Sequence, residues 1–187
     1  MSTSTSITKQ RQQTAYPVLA ETFGYTSTMQ GPRIAKVVVS SGVGKKRDKK
    51  QLEFISDRLA KITGQKPSAR AAKTSIAAFK VREGDTVGLQ VTLRGARAYD
   101  FVDKLIHIAL PRTRDFRGLK AGAIDDMGNF TVGLKDHTIF PETSDEDLKD
   151  VFGLAVTIVT TAKTKAEAEA FLRHLGMPLI VDSGVKR

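Results

Sequence analysis

The chain has 187 residues, 40% of them hydrophobic, with 30 Lys and Arg against 20 Asp and Glu for a formal net charge of +10. That length suits one domain with a sizeable core, and the longest apolar runs are far too short to cross a bilayer. The absence of cysteine excludes disulfides and thiolate metal sites, and it fits a cytoplasmic setting.

Residues 1–8 are rich in Ser and Thr and lack an apolar segment, so they do not read as a secretory signal. The expected organisation is a disordered tail over 1–13, a single domain over 14–178 and a second tail over 179–187. Ala15, Val18, Leu19 and Phe23 recur at helical spacing. Pro17 fits a first turn, so a helix is expected to start beside it and to stop at Gly24. Residues 34–39 form a β-branched run bounded by Pro32 and Gly42, which predicts a buried strand.

Ser41-Gly42-Val43-Gly44-Lys45-Lys46 follows that strand and precedes a helix, where a phosphate loop would sit. A Walker loop needs Gly at the position of Val39 and Ser or Thr at that of Lys46; Arg47 stands where a dinucleotide fingerprint needs its third Gly. A nucleotide-dependent enzyme built on residues 42–45 is therefore the weaker alternative. Backbone N–H groups beside Lys45, Lys46 and Arg47 suit an RNA phosphate.

Leu52, Ile55, Leu59 and Ile62 predict an amphipathic helix over 52–63 that ends at Gly64. Residues 66–84 are basic and rich in Ala and Ser, with room for a short strand and then a mobile arm. From 86 to 94, Val87, Leu89, Val91 and Leu93 alternate with Thr86, Gly88, Gln90, Thr92 and Arg94, the pattern of a half-buried strand. Phe130, Val132 and Leu134 repeat it, as do Leu154, Val156 and Ile158. Helices are expected at 97–110, through Phe101, Leu105 and Ile108, and at 164–175, with Thr164 and Glu167 as a capping box. The fold class is then α+β: a mainly antiparallel sheet covered on one face by helices, RRM-like with a split βαβ flavour, its open face and loops turned toward RNA. The open-face positions Gln90, Thr92, Arg94, Thr131 and Lys135 include no aromatic, so contacts should go to phosphate and sugar rather than to stacked bases.

The charge is unevenly spread. Residues 1–120 carry 23 Lys and Arg against 9 Asp and Glu, and residues 121–187 carry 7 against 11. Between Arg58 and Arg82 there are seven basic residues and no acid. A polyanion on one side of the molecule accounts for this, and nucleic acid is the commonest one. In Leu110-Pro111-Arg112-Thr113-Arg114-Asp115-Phe116-Arg117-Gly118-Leu119, Pro111 ends the preceding helix and three guanidinium groups crowd one loop. An arriving phosphate would relieve their repulsion; the plain alternative is that these arginines cap helix carbonyls. Catalysis finds little support. His107, His137 and His174 are scattered, no metal-ligand spacing appears, and the acids at 142–150 suit a helix start. No cofactor, metal, membrane or small-molecule substrate is expected.

Met29-Gln30-Gly31-Pro32-Arg33, Gly42-Val43-Gly44, Gly64-Gln65-Lys66-Pro67, Val91-Thr92-Leu93-Arg94-Gly95, residues 111–119, Phe140-Pro141-Glu142 and Thr160-Thr161-Ala162-Lys163 occur in that order. Over residues 14–178 the chain resembles the universal large-subunit ribosomal protein five family in its bacterial form. The resemblance implies a ribosomal, non-enzymatic protein that binds 5S rRNA in the central protuberance beside 23S rRNA. It also implies contact with P-site tRNA and a bridge to a basic small-subunit protein. The family's sheet face presents Asn, Gln and Thr to the 5S backbone; the last two fall on Gln65 and Thr92, and Ser40 replaces the Asn. The expected rRNA-binding residues are Arg33, Ser40, Lys45, Lys46, Gln65, Lys66, Thr92, Arg94, Arg112, Arg114 and Arg117. Arg70, Lys73, Lys80 and Arg82 are assigned to tRNA, and Glu142, Asp145, Glu146 and Asp147 to the subunit bridge.

Overall fold

The computed structural model describes residues 6–44, 49–114, 116–144 and 151–180. These contain four α-helices: α1 (Ile7–Phe23), α2 (Lys49–Thr63), α3 (Ala96–Lys104) and α4 (Lys165–His174). The strands are β1 (Ile34–Gly42), β2 (Ser68–Ala71), β3 (Thr86–Leu93), β4 (Leu119–Lys120), β5 (Phe130–Leu134), β6 (Leu154–Thr160) and β7 (Leu179–Ile180). Five strands form a mainly antiparallel sheet in the order β2-β3-β1-β6-β5, and β4 pairs in parallel with β7. The α+β class is as expected from the alternating strands. Contacts group the chain into two compact units, residues 1–37 with 94–132 and 157–187, and residues 38–93 with 133–156.

The alternation of side chains follows the two-residue period of a pleated strand. Leu89, Val91 and Leu93 of β3, Phe130, Val132 and Leu134 of β5, and Leu154, Val156 and Ile158 of β6 are buried. The residues between them are half-buried or exposed. β1 departs from the expected run buried on both faces. Val37 and Val39 are buried, but Val38 and Ser40 are only half-buried, so β1 shares the one-sided design.

In the unit holding residues 38–93 and 133–156, α2 packs on β3 through its buried Ile55, Leu59 and Ile62. Its last turn closes at Gly64, whose φ of 67° favours a residue without Cβ. His137 is fully buried, stacked on Phe152 with ring centroids 4.2 Å apart and meeting the edge of Phe54 at 6.4 Å. It is a core aromatic.

The other unit packs α1 against α3 and α4. α1 begins at Ile7, capped by Ser6, so residues 7–13, expected to lie in a tail, are helical. Pro17 lies in the interior of α1 rather than in its first turn. An interior proline costs a helix about 3 kcal/mol. Tertiary bonds upstream offset it: Thr8 N–H donates to Asp103 at 2.9 Å, Arg11 to the Leu175 carbonyl at 2.7 Å, and Gln12 to the Tyr99 hydroxyl at 2.9 Å. Leu179 and Ile180, expected in the second tail, pair with β4.

α3 runs into a π-turn, Leu105–Ala109, in which Leu110 N–H donates to the Leu105 carbonyl at 2.9 Å. The wider turn rotates the next side chains. Ile106, Ala109 and Leu110 are buried, whereas Ile108, expected on the core face, is 41% exposed. The box on α4 also differs. Thr164 accepts from Glu167 N–H at 3.3 Å, but the Glu167 carboxylate accepts from Lys163 N–H at 2.7 Å and from the Tyr25 hydroxyl.

Candidate nucleic-acid interface

The buried rows of β1 and β3 fix what lies on the opposite face. Ser40 of β1 and Gln90 and Thr92 of β3 fall between buried neighbours, on adjacent strands, and are all partly open to solvent. Gln65, just past α2, donates through Nε2 to the Thr92 carbonyl at 3.5 Å. Gln65 thus lies against Thr92, Ser40 lies on the neighbouring strand, and Lys66 beside Gln65 is exposed. Hydroxyl, amide and cation without an aromatic ring make a surface that can donate to a phosphate or ribose and has nothing to stack on a base.

Arg70 is not on an arm. It lies in β2, which pairs antiparallel with β3 so that Ser68 faces Gln90 and Arg70 faces Gly88. Arg70 Nε donates to Gln90 Oε1 at 2.7 Å. The pairing that places Arg70 beside Gln90 spans twenty residues and leaves no local signal in the sequence.

Residues 72–85 form a closed finger rather than a loose arm. Ala72 N–H donates to the Asp85 carbonyl at 2.8 Å and Gly84 N–H to the Ala72 carbonyl at 3.1 Å, which closes its base. Ile76 and Val81 bridge across it, and residues 77–79 make a single 3-10 turn. Lys80 ends that turn at φ 52°, the only positive φ outside glycine among the described residues. Residues 76–79 do not join the main sheet. Phe79 is 72% exposed, and Lys73, Lys80 and Arg82 are exposed around it.

In the unit holding residues 94–132, Arg112, Arg114 and Arg117 are exposed. The turn is pinned by its backbone: Thr113 N–H donates to the Leu110 carbonyl at 3.0 Å, and Leu119 N–H to the Pro178 carbonyl at 2.8 Å. Gly118 sits at φ 100°, where a Cβ would come within 2.7 Å of the Ile180 side chain. Among the described residues no carbonyl or carboxylate accepts from the three guanidinium groups, so the helix-capping alternative has no bond to rest on. Arg94 is exposed at the end of β3. Arg33 is exposed before β1, its N–H donating to Thr161 Oγ1 at 3.0 Å. Lys45, Lys46, Asp145, Glu146 and Asp147 lie outside the described residues; Glu142 is exposed in the turn Pro141–Thr143.

Among the described residues the titratable groups do not converge on a reaction centre. Tyr25 has its phenol pushed well above the ordinary range, first by burial and then by its hydrogen bond to Glu167. The Asp125 carboxyl is held low by the Asn129 side chain, then by the Asn129 N–H, which closes the turn before β5. His107 meets the Asp103 carbonyl, and His174 meets the Arg11 carbonyl at 2.9 Å, both serving the helices. No group of three His, Asp or Glu among the described residues is arranged to hold a metal, and no helix among them is long and apolar enough to cross a membrane.

Two family models account for most of the chain. One, described as Ribosomal protein L5, matches residues 27–82; the other, which describes the C-terminus of the same ribosomal protein family, matches residues 86–179. Relatives named Large ribosomal subunit protein uL5 are similar over most of their length. The one from Thermoanaerobacter sp. (strain X514) is 49% identical over 163 residues, 87% of this chain and 91% of the relative. That from Rubrobacter xylanophilus is 49% identical over 169 residues, 90% and 93% of the two chains. That from Ureaplasma urealyticum serovar 10 is 50% identical over 161 residues, 86% and 88%. With family models and relatives agreeing over the same residues, the chain belongs to the ribosomal protein L5 family and is a non-enzymatic constituent of the large ribosomal subunit.

Proposed function

We propose that the protein binds 5S rRNA on the open face of its sheet and helps attach it within the central protuberance. The observation that supports this reading is the pair of partly open polar positions Ser40 and Thr92 on neighbouring strands, with Gln65 bonded to the Thr92 carbonyl, in the basic part of the chain. Serine at position 40 keeps a hydroxyl but is shorter than asparagine and lacks its amide donors, so its contact runs through water or is lost. The exposed Arg112, Arg114 and Arg117, with Arg33, Lys66 and Arg94, supply further charge for rRNA, including 23S rRNA. Lys45 and Lys46 are assigned to the same role.

The finger at 72–85 is the element proposed to meet P-site tRNA. Its exposed Phe79 offers a face for stacking or packing, and Lys73, Lys80 and Arg82 offer phosphate contacts that read no base sequence. The acids Glu142, Asp145, Glu146 and Asp147 repel RNA and are proposed to face a basic small-subunit protein.

Thr92→Ala and Gln65→Ala test the central assignment. Both should weaken 5S rRNA binding while stability moves by less than about 1 kcal/mol, since each is a polar group on a partly open surface. A large fall in melting temperature at unchanged RNA affinity would make these residues structural instead.

A further inference from the structure

The edge strand β2 carries a polar pair for which the fold offers no structural need. In the β2–β3 ladder Ser68 faces Gln90 and Arg70 faces Gly88. Residues opposite one another in an antiparallel pair share a face, so Ser68 and Arg70 lie with Gln90 and Thr92, away from the buried Leu89 and Val91. Gly88 presents no side chain, and Arg70 crosses that gap diagonally to bring Nε within 2.7 Å of Gln90 Oε1.

The bond decides what the pair can still do. Arg70 spends Nε on glutamine, and its two Nη groups find no protein acceptor among the described residues. They remain as a planar fork of donors. Gln90 spends its oxygen, which turns its NH2 outward as one more donor. The result is a patch rich in donors, with no carboxylate and no aromatic, in a stretch where no acidic residue occurs between Asp57 and Glu83. Such a patch suits an anion with several oxygens, as a backbone phosphate offers.

We propose that Arg70 and Gln90 form a phosphodiester-binding subsite at the edge of the sheet, with Arg70 touching the phosphate and Gln90 acting as its positioning residue. This rests on the 5S rRNA reading and extends that surface onto β2. It also separates Arg70 from the finger: it should serve the RNA on the sheet and not tRNA. The competing explanation is a surface pair that merely blunts an exposed sheet edge.

The test uses the full chain, 5S rRNA and an unrelated RNA of the same length, with affinity measured across a range of salt. Arg70→Ala should weaken binding about tenfold and make the log–log salt slope shallower by about 0.7–0.9, the loss of one phosphate contact. Arg70→Lys should keep the slope and recover only part of the affinity, because an ammonium cannot both hold Gln90 and present a fork. Gln90→Ala should weaken binding about threefold with the slope unchanged, and the double variant should bind no worse than Arg70→Ala alone. Melting curves should be unaffected throughout. Wild-type affinity and slope in Arg70→Ala would overturn the subsite, and fully additive losses in the double variant would overturn the positioning role. If the wild type shows no preference for 5S rRNA, that reading falls. The subsite is then judged by the same slopes on the unrelated RNA, since a backbone contact reads no sequence.

Discussion

Tyr25 and Glu167 show how one part-buried pair ties the start of α4 to the chain that follows α1. The carboxylate accepts from Lys163 N–H and from the phenol, and Thr164 caps the helix beside it. Burial and then the bond to Glu167 raise the Tyr25 phenol above its ordinary value of 10.0. A raised folded value means that the stabilisation is fully present below about pH 10 and is lost as pH rises beyond it. Melting temperatures followed into alkali should therefore fall more steeply above pH 10 for the wild type than for Tyr25→Phe, which has no proton to lose. Parallel curves would show that the phenol does not carry this linkage. Thr164 and Glu167 were legible in the sequence as a capping box, but their third partner was not. Tyr25 lies 142 positions away from Glu167, and only folding brings it there.

At the scale of elements, period decides what could be read in advance. Strands β3, β5 and β6 declared themselves because a two-residue alternation survives as long as the strand is regular. The helix after Gly95 was legible too, but its buried face past Leu105 was not, because the π-turn at Leu105–Ala109 inserts a phase shift that no residue type announces. Ile106 and Ile108 accordingly exchange the roles that a regular helix would give them. Ile106→Ala should cost about 2–4 kcal/mol and Ile108→Ala less than about 1, read from denaturant midpoints. The reverse order would restore an unbroken helix. The finger was visible only as basic and weakly patterned sequence, since its order comes from backbone bonds at its base and from the Ile76–Val81 bridge. Replacing residues 74–83 with a short Gly linker should leave 5S rRNA binding intact and lower tRNA occupancy of the P site. Loss of 5S rRNA binding would return the finger to the sheet surface.

For the whole molecule the governing quantity is charge and where it lies. The first 120 residues hold 23 of the 30 basic side chains, and the exposed arginines at 33, 70, 94, 112, 114 and 117 all belong to that part. This asymmetry was readable from sequence alone, and so was the absence of aromatics from the open sheet face. Which cations share a neighbourhood was not, as Arg70 illustrates. An RNA-binding constituent of this kind should bind mainly by displacing counterions from phosphates. The most direct test is the affinity of the full chain for 5S rRNA as a function of salt. If about six phosphates are neutralised, the log–log slope should be about −4 to −5, from roughly −0.7 to −0.9 per phosphate. A slope near zero, with affinity unchanged by salt, would contradict the account.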